Sequence, residues 1–135
     1  APMILPNASV TFDYEAELMV IIGKGGRHIA AENALEHVFG YSTFNDGSVR
    51  EYQRKTHQWT AGKNFDGTGA VGPYVVTPDE VPAGAAGLQI STRLNGRVLQ
   101  NSNTSDMILV EVEIEGIGIC RNPIVAENDQ QVAAQ

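Results

Sequence analysis

Five consecutive apolar, β-prone residues, Leu18-Met19-Val20-Ile21-Ile22, run without interruption into the turn Gly23-Lys24-Gly25-Gly26. A run this short, bounded by glycines and rich in β-branched residues, predicts a strand. Its beginning carries two acids, Glu15 and Glu17, in Asp13-Tyr14-Glu15-Ala16-Glu17-Leu18. Side chains alternate along a strand, so these two carboxylates share a face, with Cα atoms roughly 6–7 Å apart. Two such groups can converge on one hard cation. A third acid, Asp46, stands in Phe44-Asn45-Asp46-Gly47-Ser48-Val49-Arg50, after the next β-prone segment, Val38 to Phe44. An isolated pair of acids on a strand is most often a solvated face. The return of the chain to Asp46 makes a divalent-cation site the sharper reading.

With 135 residues, of which 42% are hydrophobic, the chain is long enough for one globular domain with a core. A formal charge of −7 and a pI near 4.8 speak against a nucleic-acid or anionic-membrane surface, both of which need clustered lysine and arginine. Small molecules, or a second copy of the chain, are the expected partners. The single Cys120 excludes an intramolecular disulfide framework, and His28, His37 and His57 have no zinc-ligand spacing. No segment approaches the ~20 apolar residues of a membrane span, and no basic stretch leads into an apolar one at the N-terminus. A cytoplasmic location is expected.

Along the chain, Pro2 and Pro6 mark an irregular lead-in, and Ala30 to His37 has the composition of a short helix. Ser48 to Arg54 predicts a helical turn that brings Arg50, Gln53 and Arg54 to one side. The polar stretch Thr56 to Gly72 reads as a long functional loop held down by Trp59. Pro73 to Thr77 resumes β character. Leu88 to Leu94, Asn95-Gly96 and Arg97 to Gln100 form a hairpin pattern, because Asn-Gly suits a type I′ turn. Leu109 to Glu115 alternates apolar and acidic residues as a half-buried strand does, and Cys120 reads as a small buried residue of the last strand. One joint is abrupt: Thr104-Ser105-Asp106 is composed like a helix N-cap, yet strand character follows within three residues.

The chain resembles the catalytic domain of the fumarylacetoacetate hydrolase family. The resemblance is carried, in family order, by D-Y-E-A-E-L-M-V-I-I-G-K at 13–24, V-F-G-Y-S-T-F-N-D-G-S-V-R-E-Y-Q at 38–53 and Q-W-T-A-G-K-N-F-D at 58–66. It continues with G-P-Y-V-V-T-P-D-E-V at 72–81, L-N-G-R-V-L-Q-N-S-N-T-S-D-M-I at 94–108 and V-E-V-E-I-E-G-I-G at 110–118. It implies a β-dominated α+β fold, a mixed sheet rolled into a barrel-like sandwich with short peripheral helices. It also implies a single domain over 1–135 and a homodimer. By resemblance Glu15, Glu17 and Asp46 bind Mg²⁺ or Mn²⁺, Arg50 and Gln53 face the substrate, and Lys63 is a catalytic residue that also touches substrate. Against the family pattern the sequence lacks the N-terminal lid region and a segment between Ile108 and Leu109, where the abrupt joint falls. Gly67 stands where many members have threonine, with Thr68 as the candidate substitute.

The resemblance therefore implies a metal-dependent enzyme acting on a small 2-oxo or 2,4-dioxo acid, as in aromatic catabolism. Hydrolytic C–C cleavage of an acylpyruvate-like compound through a metal-stabilised enolate is the expected reaction. Decarboxylation, dehydration or hydration, and isomerisation are the alternatives on the same site. A non-catalytic homologue that keeps the fold is the other class; the complete set of Glu15, Glu17, Asp46, Arg50 and Lys63 favours the enzyme. In isolation an arginine or lysine in a polar loop is usually solvated, and Asp66 and His57 are at most near neighbours of the site.

Overall fold

The computed structural model describes residues 2–106 and, beyond them, the backbone of two strands, 108–114 and 118–124. The chain divides into two compact units, residues 1–85 and 86–135. The described part is rich in strands, and its helices are each a turn or two long.

In the first unit the apolar run becomes strand β2, Ala16–Ile22, as its composition requires. It pairs antiparallel with β3, Val38–Asp46, and β3 pairs on its other side with β5, Gly69–Val71. The connection between β2 and β3 holds a 3₁₀ helix over Ala31–His37, the short helical stretch expected from the sequence. A smaller ladder joins β1, Phe12–Asp13, to β4, Ser48–Val49, with Asp13 opposite Ser48. Helix α1, Arg50–Gln53, follows β4 directly and is the turn that the sequence predicted. Among the described residues the buried apolar side chains are Tyr41 of β3, Val49 of β4 and Ala85.

The stretch from Thr56 to Gly72 is not the single long loop expected of it. It contains helix α2, Thr60–Lys63, and strand β5. Trp59 does not pin it down, being 64% exposed. The segment is anchored instead by Phe65, whose ring meets that of Tyr52 edge-on at 5.0 Å, and by a backbone contact. Gly62 packs so closely on Gln53 that a Cβ there would lie 2.5 Å from the Gln53 nitrogen. Pro73 to Thr77 forms no strand, only an isolated bridge between Tyr41 and Val76.

In the second unit, β6, Gln89–Leu94, and β7, Arg97–Asn103, make the expected hairpin. Asn95 and Gly96 turn it with φ of 51° and 80°, the doubly left-handed geometry of a type I′ turn. Thr104–Asp106 is a single 3₁₀ turn, and Asp106 caps backwards, accepting the Asn103 backbone N–H at 2.9 Å. Strand β8, Ile108–Ile114, pairs antiparallel with β9, Gly118–Ile124. The side chains of the Leu109 to Glu115 alternation and of Cys120 lie outside the described residues. Among the described residues no helix is long and apolar enough to cross a membrane.

Candidate metal centre

The site is built at one end of the β2–β3 ladder. Ala16 pairs with Asn45 and Glu17 with Phe44, so the same register, continued by one residue, sets Glu15 across from Asp46. Residues directly opposite in an antiparallel pair share a face, as do i and i+2. Glu15, Glu17 and Asp46 therefore point the same way. Two local bonds lock this end of the ladder: the Asp46 N–H donates to the Glu15 carbonyl at 3.1 Å, and the Glu15 N–H donates to Asn45 Oδ1 at 3.3 Å. One carboxylate oxygen from each of the three acids lies within 4.8 Å of the others.

Two cations reach this cluster from the helices. The backbone of β4 places Arg50 at the head of α1, where its Nη1 donates to Glu15 Oε1 at 2.6 Å and to Gln53 Oε1 at 2.9 Å. Its Nε donates to Asp13 Oδ2 at 2.9 Å. Helix α2 delivers Lys63, whose Nζ donates to Asp46 Oδ2 at 2.6 Å, to Glu15 Oε2 at 2.8 Å and to Ser48 Oγ at 2.9 Å. All three ammonium protons are thus engaged. Gln53 is buried, and with Oε1 held by Arg50 its amide nitrogen is the end left to donate elsewhere.

The electrostatics separate the two glutamates. Burial pushes the Glu15 carboxyl upward, but hydrogen bonds and charge from Lys63 and Arg50 outweigh it and hold Glu15 below the usual glutamate value. Glu17 is pushed up to about 6, first by burial and then by the charges of Asp46 and Glu15. Burial opposes the charged forms of Lys63 and Arg50, yet their carboxylate partners raise both above their ordinary values. Asp13, Glu15, Glu17 and Asp46 face two cations, Arg50 and Lys63, so the ionised cluster carries two negative charges in excess.

That donor set fits a hard divalent cation. Its ligands are carboxylate oxygens, the excess charge matches, and three ligand atoms leave further octahedral positions for water and a chelating ligand. With metal–oxygen distances of ~2.0–2.1 Å, adjacent oxygens of an octahedral ion stand ~2.9 Å apart, so the trio would draw together around it. Glu15, Glu17 and Asp46 would hold the ion.

The sequence-predicted residues Glu15, Glu17, Asp46, Arg50, Gln53 and Lys63 all stand in or beside this cluster. Arg50 and Lys63 contact the acids themselves. Thr68 does not stand in for the threonine expected at Gly67: it is buried, and its hydroxyl donates to the Phe65 carbonyl at 2.9 Å. His57 and Asp66 are exposed and make no bond to the acids. Two residues were not anticipated. Asp13 orients Arg50, and Ser48, fully buried, accepts from Lys63 and lies 3.2 Å from Glu15 Oε1. The available signal was spacing: Ser48 is two residues beyond Asp46, and Asp13 two before Glu15.

Residues 1–109 match the family described as fumarylacetoacetate (FAA) hydrolase C-terminal. A bovine protein named oxaloacetate tautomerase FAHD2A, mitochondrial, is 43% identical over 114 residues, which cover 83% of this chain and 36% of that protein. The structure of a 5-carboxymethyl-2-hydroxymuconate delta-isomerase from Mycobacterium smegmatis is similar with a TM-score of 0.70 and 35% identity, covering 77% of this chain and 40% of the other. The structure of a fumarylpyruvate hydrolase from Pseudomonas aeruginosa in complex with Mn²⁺ and pyruvate is similar with a TM-score of 0.64 and 30% identity, covering 75% and 44%. The chain thus spans less than half the length of each of these relatives. With the acidic trio, the strand-rich fold and this match over most of its length, the chain belongs to the fumarylacetoacetate hydrolase family.

Proposed function

We propose that Glu15, Glu17 and Asp46 bind Mg²⁺ or Mn²⁺, and that the site acts on a small 2-oxo or 2,4-dioxo acid, cleaving a C–C bond of an acylpyruvate-like compound by hydrolysis. The observation that carries the reading is the convergence of three carboxylates, from β2, the residue just before it and β3, with two cations bonded to them. The cation, when bound, supplies Lewis-acid polarisation of a chelated keto oxygen. The protein side chains do the rest. Arg50, fixed at Nε by Asp13, offers its second terminal nitrogen, which has no partner among the described residues, to a substrate carboxylate. Gln53 adds an amide donor beside it. Lys63 brings a positive charge to the oxygen on which charge develops. A homodimer of cytoplasmic location belongs to the same reading; exposed Val20, Ile22 and Phe39 on the main sheet supply apolar surface for it.

Enol–keto isomerisation is the second reading. The name of the bovine relative favours it. The discriminating experiment supplies Mn²⁺ or Mg²⁺ and follows acylpyruvates, oxaloacetate and 2-keto-3-deoxy acids side by side. Cleavage of an acylpyruvate supports hydrolysis, and enol–keto interconversion without cleavage supports the isomerase. Metal binding without turnover of any of them counts against both reactions.

A further inference from the structure

The ion pairs within the site point to a role for Lys63 before any substrate arrives. Its ammonium is bonded to Glu15 and Asp46, two of the three acids that would hold the cation, and spends its third proton on Ser48. The other oxygen of Glu15 is taken by Arg50. Glu17, by contrast, accepts no hydrogen bond from either cation among the described residues. The trio is therefore unequal. A divalent ion meets one carboxylate with no cation bonded to it and two that are paired directly from within the protein. From this we infer that Lys63 is a resident counter-cation that a divalent ion must compete with: as the ion binds, Lys63 gives up direct pairing with Glu15 and Asp46, and its bond to the neutral Ser48 keeps it beside the site.

This inference rests on the metal reading above. An ammonium at hydrogen-bond distance from two carboxylates repels a second cation brought to the same oxygens, and in a half-buried site water screens that repulsion weakly. The same pairs hold the carboxylates together when no ion is present, since three acids on one face otherwise repel one another. Lys63 thus lowers metal affinity while stabilising the metal-free fold. Release from the acids gives the ammonium free protons for substrate, which it lacks while all three are engaged.

The test is a calorimetric titration with MnCl₂ of the chelator-treated chain and of its Lys63→Met variant, with melting temperatures measured without and with Mn²⁺. The expected result is tighter Mn²⁺ binding by Lys63→Met, by about tenfold or more, a lower melting temperature than wild type without metal, and a larger rise on adding Mn²⁺. Unchanged or weaker binding by a folded Lys63→Met variant overturns the inference and leaves the metal reading standing. Failure of the wild-type chain to bind Mn²⁺ overturns both. Should Lys63→Met not fold, the wild-type chain serves: acylation of Lys63 by an amine-reactive reagent, read by mass spectrometry, is expected to rise at saturating Mg²⁺, and unchanged or reduced labelling overturns the inference.

Discussion

Arg50 donates from Nη1 to Glu15 Oε1 at 2.6 Å, joining residues 35 apart in sequence. With Asp13 on its Nε, the guanidinium ties β1, the start of β2 and helix α1 into one unit. Its side chain is only 18% exposed, so loss of the charge leaves Glu15 without one of its two cations in a half-buried place. Arg50→Met is expected to lower stability by about 1–3 kcal/mol, seen as a reduced denaturation midpoint at unchanged slope. If Arg50 also holds a substrate carboxylate, KM rises more than kcat falls.

The raised Glu17 carboxyl gives the metal-free chain a pH dependence of defined sign. A folded-state value of about 6, above the ~4.3 of a free glutamate, means the folded chain binds more protons between the two values. Stability from that source is present below pH ~4.3 and is lost as pH rises toward 6. Glu15 acts oppositely: its lowered value contributes stability present above pH ~4.3 and lost as pH falls below it. Melting temperatures of the metal-free chain should therefore fall from about pH 4.5 to 6.5, and Glu17→Gln should flatten that decline. A wild-type and a Glu17→Gln profile of equal slope would show that Glu17 is not under this strain.

Gly62 owes its place to contact rather than to a special backbone angle. A Cβ there meets Gln53 backbone and Cβ at 2.5–2.7 Å, with no flexible side-chain end to move aside. Gly62→Ala should push α2 from α1 and displace Lys63, the next residue. A loss of about 1–3 kcal/mol is expected, with reduced activity at saturating metal. Wild-type stability in this variant would mean the two turns are not held together here.

For the reaction itself, Lys63→Met should depress kcat and kcat/KM together by about 10²–10³, the usual effect of removing one partner of a developing oxyanion. Ser48→Ala, which removes the neutral anchor of the ammonium but not its charge, should act in the same direction and less severely. Steady-state kinetics at saturating Mn²⁺ on an identified substrate decide both.

The strand through Leu18–Ile22 and the Asn95-Gly96 hairpin were legible because each rests on local signals, an apolar run closed by glycines and a dipeptide that accepts two left-handed residues. The acidic trio was legible in composition, but its convergence depends on the Ala16–Asn45 register, which no local pattern states. Trp59 misled because aromatic residues usually pack, whereas α2 is fixed by Gly62 and Phe65. Ser48 and Asp13 went unseen because a serine or a single acid carries no chemistry until the β1–β4 ladder sets them opposite each other. That Lys63 and Arg50 face the acids themselves is likewise a product of packing, since α1 and α2 are brought together by the contacts of Gly62 with Gln53 and of Phe65 with Tyr52.

Binding of one divalent cation to Glu15, Glu17 and Asp46 can be seen in an anomalous difference map from crystals of the chain grown with Mn²⁺. The account predicts a single strong peak about 2.0–2.2 Å from one oxygen of each of the three carboxylates. A map with no peak there, or with Mn²⁺ bound elsewhere while Lys63 remains paired to Glu15 and Asp46, would contradict it.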